Sequence, residues 1–140
     1  MAAVDFEAKD VEDRPVVLRD LLLTKPVILI TGGKTCPVWN TRIDDQEALA
    51  PLYGDQFHLL FLVSAEAHPK GEDSWGTGAL DIFGYSSIGD PKSYAERKAV
   101  ATELSATVPS WTTIPDPYPL SPILSTYGPS ANSIHVIRQD

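Results

Sequence analysis

Two apolar runs of strand length dominate the hydrophobic pattern of this chain. Residues 26–30 (PVILI) and 57–65 (FHLLFLVSA) are almost continuously apolar, which is typical of strands buried on both faces of a sheet. Between them, from Pro37 to Tyr53, apolar residues recur at helical spacing, and Pro51 predicts a kink or an early stop. Strand, helix and strand in this order predict a βαβ unit with two parallel strands.

The flanking segments predict short elements around this unit. Regular structure is expected in four of them: a strand at 16–18, one or two helical turns at 19–25, an alanine-rich helix at 92–106 and a strand at 133–138. Two other segments lack a clear period and predict loops: an irregular insertion at 69–91, rich in Gly, Ser and Asp, and a proline-rich loop at 108–130 with at most a brief edge strand.

This order of elements resembles the thioredoxin fold, an α/β architecture with a central mixed sheet flanked by helices. The chain stops after its last predicted strand, where that fold usually continues into a further strand and a terminal helix. We therefore expect a version that lacks the C-terminal strand and helix. The 140 residues predict a single domain over 1–140.

Composition limits the classes of binding partner and the cellular compartment that we expect for this chain. The net charge of -8 excludes nucleic acid and anionic membranes as expected partners. No apolar stretch approaches the ~20 residues that span a bilayer, and the N-terminus lacks signal-peptide features, so we expect a soluble, cytoplasmic protein. The single cysteine cannot form an intramolecular disulfide or supply a structural zinc site. We expect no metal and no bound cofactor.

That cysteine lies in the segment TGGKTCPVWN, residues 31–40, between the first buried strand and the next helix. Pro37 suits the first helical position, and the N–H groups of the helix start favour the thiolate of Cys36. Lys34 can add a positive charge. Gly-Gly-Lys-Thr and Pro around the cysteine predict a surface turn. The competing interpretation is a buried cysteine that acts as a small hydrophobic residue.

The residues around Cys36 do not match three common thiol-site motifs, of which the redox dithiol is excluded outright. A redox dithiol needs a second sulfur three residues on, where this chain has Trp39. Peroxiredoxins place Thr and Pro at positions occupied here by Gly33 and Leu29. Glutathione peroxidases place Gly directly after the reactive residue, where this chain has Pro37.

Two short motifs, KTCP at 34–37 and EAHP at 66–69, resemble those of the iodothyronine deiodinases, a thioredoxin-fold family. The resemblance covers residues 5–74 and, more weakly, 97–104; Trp75 also suits the pattern. It implies reductive dehalogenation of an aromatic substrate, with Cys36 as the nucleophile that attacks the halogen and His68 as the proton donor to the ring carbon. An external thiol would act as the reductant.

The predicted sheet gives this resemblance a physical basis. The carboxyl ends of adjacent parallel strands lie side by side, so Cys36 is expected near Glu66 and His68. Residues 66 and 68 alternate as in a strand and should point the same way. His68 can donate a proton, Glu66 can orient it, and Thr35 can hold or pass a proton. Alternatively, His68 is a satisfied polar cap and Glu66 is solvated.

The roles of the remaining aromatic and histidine residues, and of Lys34, are predicted less directly. Trp39 and Trp75, with Lys34, are candidates for substrate binding, although core packing is the usual role of tryptophan. His58 and His135 lie within apolar runs and are expected to be packing residues.

Two other functions remain open. One is a one-cysteine, peroxiredoxin-like thiol peroxidase that forms a sulfenic acid at Cys36. The other is a non-catalytic binding module of the thioredoxin fold, with a recognition surface formed by residues 70–90 and 115–129. An exposed sheet face would also suit a partner or a homodimer.

Overall fold

The computed structural model of this chain describes residues 3–69, 88–127 and 132–139. Their strands are β1 (Glu7–Lys9), β2 (Pro15–Val17), β3 (Val27–Gly32), β4 (His58–Val63), β5 (Thr112–Pro115) and β6 (Ile134–Ile137). Their helices are α1 (Leu18–Leu22), α2 (Pro37–Asn40), α3 (Ile43–Glu47), α4 (Ala50–Tyr53), α5 (Tyr94–Ser105) and α6 (Pro122–Tyr127).

A four-stranded mixed sheet with the order β5-β4-β3-β6 forms the centre of the fold. Strand β3 runs parallel to β4, in register from Val27 opposite His58 to Gly32 opposite Val63. Strand β5 is parallel to β4, and β6 is antiparallel to β3. A separate antiparallel pair is formed by β1 and β2. The predicted βαβ unit and the predicted mixed sheet are confirmed.

Both faces of the sheet are covered, as the continuous apolar runs indicate. All six residues of β3 are buried. On one face, Ile28 and Ile30 pack with Cys36, Trp39 and helix α5. On the other face, Val27 and Leu29 pack with α1 and α6. No helix in the described part of the chain is long and apolar enough to cross a membrane.

The outer edge of the sheet at β6 differs from this pattern. No strand within residues 3–69, 88–127 and 132–139 pairs with the free side of β6. Ile134 and Val136, opposite Ile30 and Ile28, are 57% and 55% exposed.

Three predicted boundaries need correction. The helix expected from Pro37 to Tyr53 is divided into α2, α3 and α4, because Arg42 has a non-helical backbone and Pro51 lies in the first turn of α4, which begins at Ala50. The second apolar strand ends at Val63 and does not extend to Ala65. In the segment 108–130 the brief edge strand is present as β5, at one edge of the sheet, but helix α6 lies where a loop was predicted. Most of the predicted insertion at 69–91 lies outside the described residues.

Helix α6 is stabilised by a side chain that lies outside the helix. Asp116, just after β5, is completely buried, and its carboxylate accepts hydrogen bonds from the backbone N–H groups of Ile123 (3.1 Å) and Leu124 (2.9 Å). These are N–H groups of the first helical turn, which have no partner within a helix. Pro122 occupies the start of the helix, where its missing N–H costs nothing. A carboxylate seven residues upstream therefore stabilises this helix.

Asp116 also predicts a pH dependence of stability. Burial raises the pKa of its carboxyl group, against the opposing effect of the Leu124 and Ile123 N–H groups. Between the ordinary value of about 3.9 and the raised folded value, the unfolded chain loses the proton first, so this group lowers stability as pH rises. We expect the free energy of unfolding of wild type, minus that of Asp116→Asn, to decrease with pH across this window in urea titrations. A difference that increases with pH would contradict this direction.

Gly32 predicts a strong packing effect. A Cβ at this position would lie 2.3 and 2.4 Å from two ring atoms of Trp39, whose side chain is completely buried. Because the ring has no room to move, we expect Gly32→Ala to reduce the free energy of unfolding by about 2–3 kcal/mol. Gly89→Ala is the matched control, since a Cβ there meets nothing within 4 Å. Equal stability of the two variants in urea denaturation would refute the prediction.

Candidate functional site

Cys36 lies between the end of β3 and the first residue of α2. It is the N-cap of α2, and its Sγ accepts a hydrogen bond from the backbone N–H of Trp39 at 3.4 Å. Pro37 follows at the first helical position. The predicted helix-start position is thus confirmed. The predicted surface turn is wrong, because Cys36 is only 4% exposed and contacts the hydrophobic core.

The residue before the cysteine is fixed by a buried carboxylate. Glu66, 7% exposed, accepts hydrogen bonds at Oε2 from the backbone N–H and the hydroxyl of Thr35, both at 2.8 Å. Its Oε1 accepts a longer hydrogen bond of 3.3 Å from the backbone N–H of Lys34. Three donors of the β3–α2 turn therefore converge on one side chain from the segment after β4.

Thr35 connects this carboxylate to His68. The Thr35 hydroxyl donates to Glu66 and accepts from the backbone N–H of His68 at 3.0 Å. Thr35 itself is completely buried. The structure therefore brings Thr35, Glu66 and the backbone of His68 into one network beside Cys36, as expected from the ends of two adjacent parallel strands.

The reason given for this convergence needs correction. Because β4 ends at Val63, Glu66 and His68 lie in an irregular segment, and strand alternation does not set their directions. The turn at the end of β3 allows the close approach, since a Cβ on Gly33 would lie 3.1 Å from Glu66 Oε2. A glycine there leaves room for the carboxylate beneath the turn.

Two residues that the sequence reasoning missed hold the site in place. The Asn40 side-chain amide donates to the backbone carbonyls of Lys34 (2.9 Å) and Cys36 (2.8 Å), which closes the turn from the helix side. Asp90 Oδ1 accepts from the backbone N–H of Glu66 at 2.8 Å. Asn at the end of a predicted first turn is a weak local signal, and nothing local marks Asp90.

The residues expected to bind substrate have other contacts. The Lys34 ammonium pairs with Glu103 on α5 at 2.7 Å, so its charge is compensated there. Trp39 is completely buried and stacks on Phe61, with ring centroids 4.1 Å apart and planes 7° apart. Trp39 is therefore a core residue in this structure, and its expected place in a substrate pocket is wrong. Trp75 lies outside the described residues.

The other two histidines make local polar contacts. His58 Nε2 lies 2.7 Å from the Thr24 hydroxyl, and burial, with a smaller effect of Lys25, lowers the pKa of His58. His135 Nε2 lies 2.9 Å from the Ser133 hydroxyl. Within the described ranges no group of three His, Cys, Asp or Glu side chains is arranged to hold a metal ion.

Comparison with known proteins bears on the fold. The chain matches no family model and none of the curated proteins. It is similar to the solved structure of the exposed lipoprotein thioredoxin Etrx1 from Streptococcus pneumoniae strain TIGR4, with a TM-score of 0.62 and 21% identity. The match covers 96% of this chain and 81% of that chain. This chain therefore has a thioredoxin-like fold.

Proposed function

We propose that this chain is a thiol-dependent oxidoreductase in which Cys36 is the nucleophile. The observation that carries the proposal is the position of Sγ at the start of α2, where it accepts the Trp39 N–H, directly beside a buried turn fixed by Glu66. The hydrogen bond to Sγ and the fixed turn hold the sulfur in one position, as a nucleophile requires. A cysteine that only fills space in a core does not need such a turn.

The chemistry that this site supports best is reductive dehalogenation of an aromatic substrate, in line with the deiodinase resemblance. The Cys36 thiolate attacks the halogen, and the electron pair of the carbon–halogen bond passes to the ring carbon. His68 delivers a proton to that carbon. One external thiol displaces the halide from the sulfenyl halide to form a mixed disulfide, and a second releases Cys36. The net reaction converts ArX and two thiols into ArH, a disulfide and HX.

Glu66 and Thr35 act in this scheme as positioning residues. The Thr35 hydroxyl donates a hydrogen bond to Glu66 and accepts one from the His68 backbone N–H, so it connects the cysteine turn to the segment that carries His68. Thr35 and Glu66 can in this way hold Cys36 and His68 in a productive geometry without touching the substrate themselves.

The burial of Cys36 favours a second candidate, a one-cysteine thiol peroxidase. A hydroperoxide is smaller than an aromatic ring and reaches a thiol that is 4% exposed with less movement of the turn. The thiolate attacks the terminal peroxide oxygen, which releases an alcohol and leaves a sulfenic acid on Cys36. Two equivalents of external thiol restore Cys36 and release water and a disulfide.

Substrate turnover distinguishes these functions. Purified protein with dithiothreitol is assayed for iodide release from an iodinated phenol and, separately, for consumption of a hydroperoxide; Cys36→Ser is the control in both. Dehalogenation predicts iodide release that is lost in Cys36→Ser, and peroxidase activity predicts the same loss for peroxide consumption. Turnover that is equal in the serine variant would overturn both proposals. A non-catalytic binding module predicts no Cys36-dependent turnover of either substrate.

Expectations about partners and location follow from this proposal. A single cysteine requires the reductant to come from another molecule or from a second copy of the chain in a homodimer. A cytoplasmic location, where small thiols are abundant, stays a prediction.

A further inference from the structure

A cleft of about 440 Å³ lies at the carboxyl ends of β4 and β5, separate from the Cys36 turn. It is bounded by Ala65, by Asp90 to Lys92 before α5, by Arg97 on α5, and by Tyr118 and Pro119 after β5. Ligands of open parallel sheets bind at this edge, and a volume of several hundred Å³ is that of a small-molecule site.

Arg97 distinguishes this cleft from an ordinary surface hollow. The residue is 2% exposed, and its Nη1 donates to the backbone carbonyls of Asp116 (2.9 Å) and Pro117 (3.2 Å). Its Nε is buried and has no hydrogen-bond partner among the described residues, and Nη2 has none there either. A buried guanidinium normally satisfies such donors. The Nε and Nη2 donors together form a fork that matches a carboxylate.

The other walls of the cleft suit an organic anion. Lys92 adds an exposed positive charge. The Tyr118 ring, 40% exposed, lies 5.2 Å from the Arg97 guanidinium carbon and, with Pro91 and Pro119, gives apolar surface. The opposing charges are Asp90, whose Oδ1 already accepts the Glu66 N–H, Glu96, whose carboxylate accepts the Lys92 N–H at 2.7 Å, and Asp116, which interacts electrostatically with Arg97.

We propose that this cleft binds a small organic carboxylate, with the carboxylate beside the Arg97 guanidinium and the apolar body against Tyr118. The inference goes beyond the proposed function, because it assigns a ligand site that does not depend on the reactivity of Cys36. Asp90, in the wall of the cleft, accepts a hydrogen bond from the backbone N–H of Glu66. The cleft is therefore directly connected to the residue whose carboxylate holds the cysteine turn.

The test is an NMR titration of the full ¹⁵N-labelled chain with benzoate and with its neutral analogue benzamide. Benzoate should shift the backbone amides of residues 89, 90, 92–97, 118, 120 and 121 in a saturable manner, with a dissociation constant on the order of 1–10 mM. Benzamide should bind at least about fivefold more weakly, because it lacks the charge. Equal effects of the two compounds, or no saturable shift at these amides, would overturn the proposal.

Variants assign the binding to the cleft. Lys92→Gln should weaken benzoate binding about two- to fivefold, whereas Lys98→Gln, which removes the same charge elsewhere on α5, should leave it unchanged. Arg97→Lys should weaken it about tenfold or more, because lysine cannot offer a fork of donors; retained amide dispersion shows that this variant is folded. Equal affinity in wild type and Lys92→Gln would contradict the placement even if Arg97→Lys does not fold.

Discussion

Replacement of Glu66 by alanine is expected to reduce the free energy of unfolding by about 3 kcal/mol or more. The carboxylate accepts from the Thr35 N–H, the Thr35 hydroxyl and the Lys34 N–H. Without it, the two buried Thr35 donors lose their partner, and each buried donor left unsatisfied costs about 1–3 kcal/mol. The missing side chain also leaves a cavity between the β3–α2 turn and the segment after β4.

The size of the stability loss shows whether the Glu66 carboxylate holds the β3–α2 turn or is merely solvated. Glu66→Gln keeps a carbonyl acceptor of the same shape and should cost about half as much. Glu103→Gln is the control, since it removes an equal charge from the exposed partner of Lys34 and should change stability by less than about 0.5 kcal/mol. If urea denaturation gives Glu66→Ala and Glu103→Gln the same stability, the carboxylate does not hold the turn.

Replacement of Cys36 by serine is expected to reduce turnover by about 10³-fold or more, because the nucleophile is lost. The serine hydroxyl can still accept the Trp39 N–H at the start of α2, so the fold should survive with a loss of about 1 kcal/mol. The measurement is the initial rate of iodide release or of peroxide consumption, whichever the wild type catalyses, at saturating thiol.

Val38→Ala is the matched control for this substitution. Val38 is 43% exposed in the same helical turn, so its truncation perturbs α2 without removing sulfur. We expect it to retain most of the wild-type rate. If Val38→Ala loses as much activity as Cys36→Ser, the effect of the serine variant reflects the integrity of α2 and not the chemistry of the thiol.

The central strands could be predicted from sequence because burial on both faces leaves a continuous apolar run. The residues 26–30 and 57–65 indicated β3 and β4, and their parallel pairing followed from the helical segment between them. Helix α6, which was missed, depends on a contact from outside the helix, whereas the predicted helix at 37–53 is divided by a local change of backbone conformation. Helix α6 is stabilised by Asp116, which is not adjacent to it, and the division of the predicted helix at 37–53 depends on the backbone of Arg42.

The candidate site was predictable only in part, for the same reason. The order of the KTCP and EAHP motifs placed Cys36, Thr35, Glu66 and His68 at adjacent strand ends. The contact between Glu66 and Thr35 spans 31 positions, so no local pattern shows which donors the carboxylate accepts. The burial of Cys36 was only the competing interpretation, whereas core packing of Trp39 was the usual expectation for tryptophan. Glycine, lysine and proline around Cys36 indicate an exposed turn. The turn is buried because Glu66 accepts hydrogen bonds from Thr35 and because Cys36 packs in the same core cluster as Trp39.

The most direct test of Cys36 as an activated nucleophile is its alkylation by iodoacetamide at neutral pH as urea is raised from zero to below the unfolding transition. A buried, inert thiol reacts only through unfolded molecules, so its rate is reduced about 10³-fold or more relative to the denatured chain and rises steeply with urea. A functional site predicts a native rate within about tenfold of the denatured rate and almost independent of urea, since local opening of the turn suffices. Alkylation that follows global unfolding would contradict the account and leave Cys36 as a core residue.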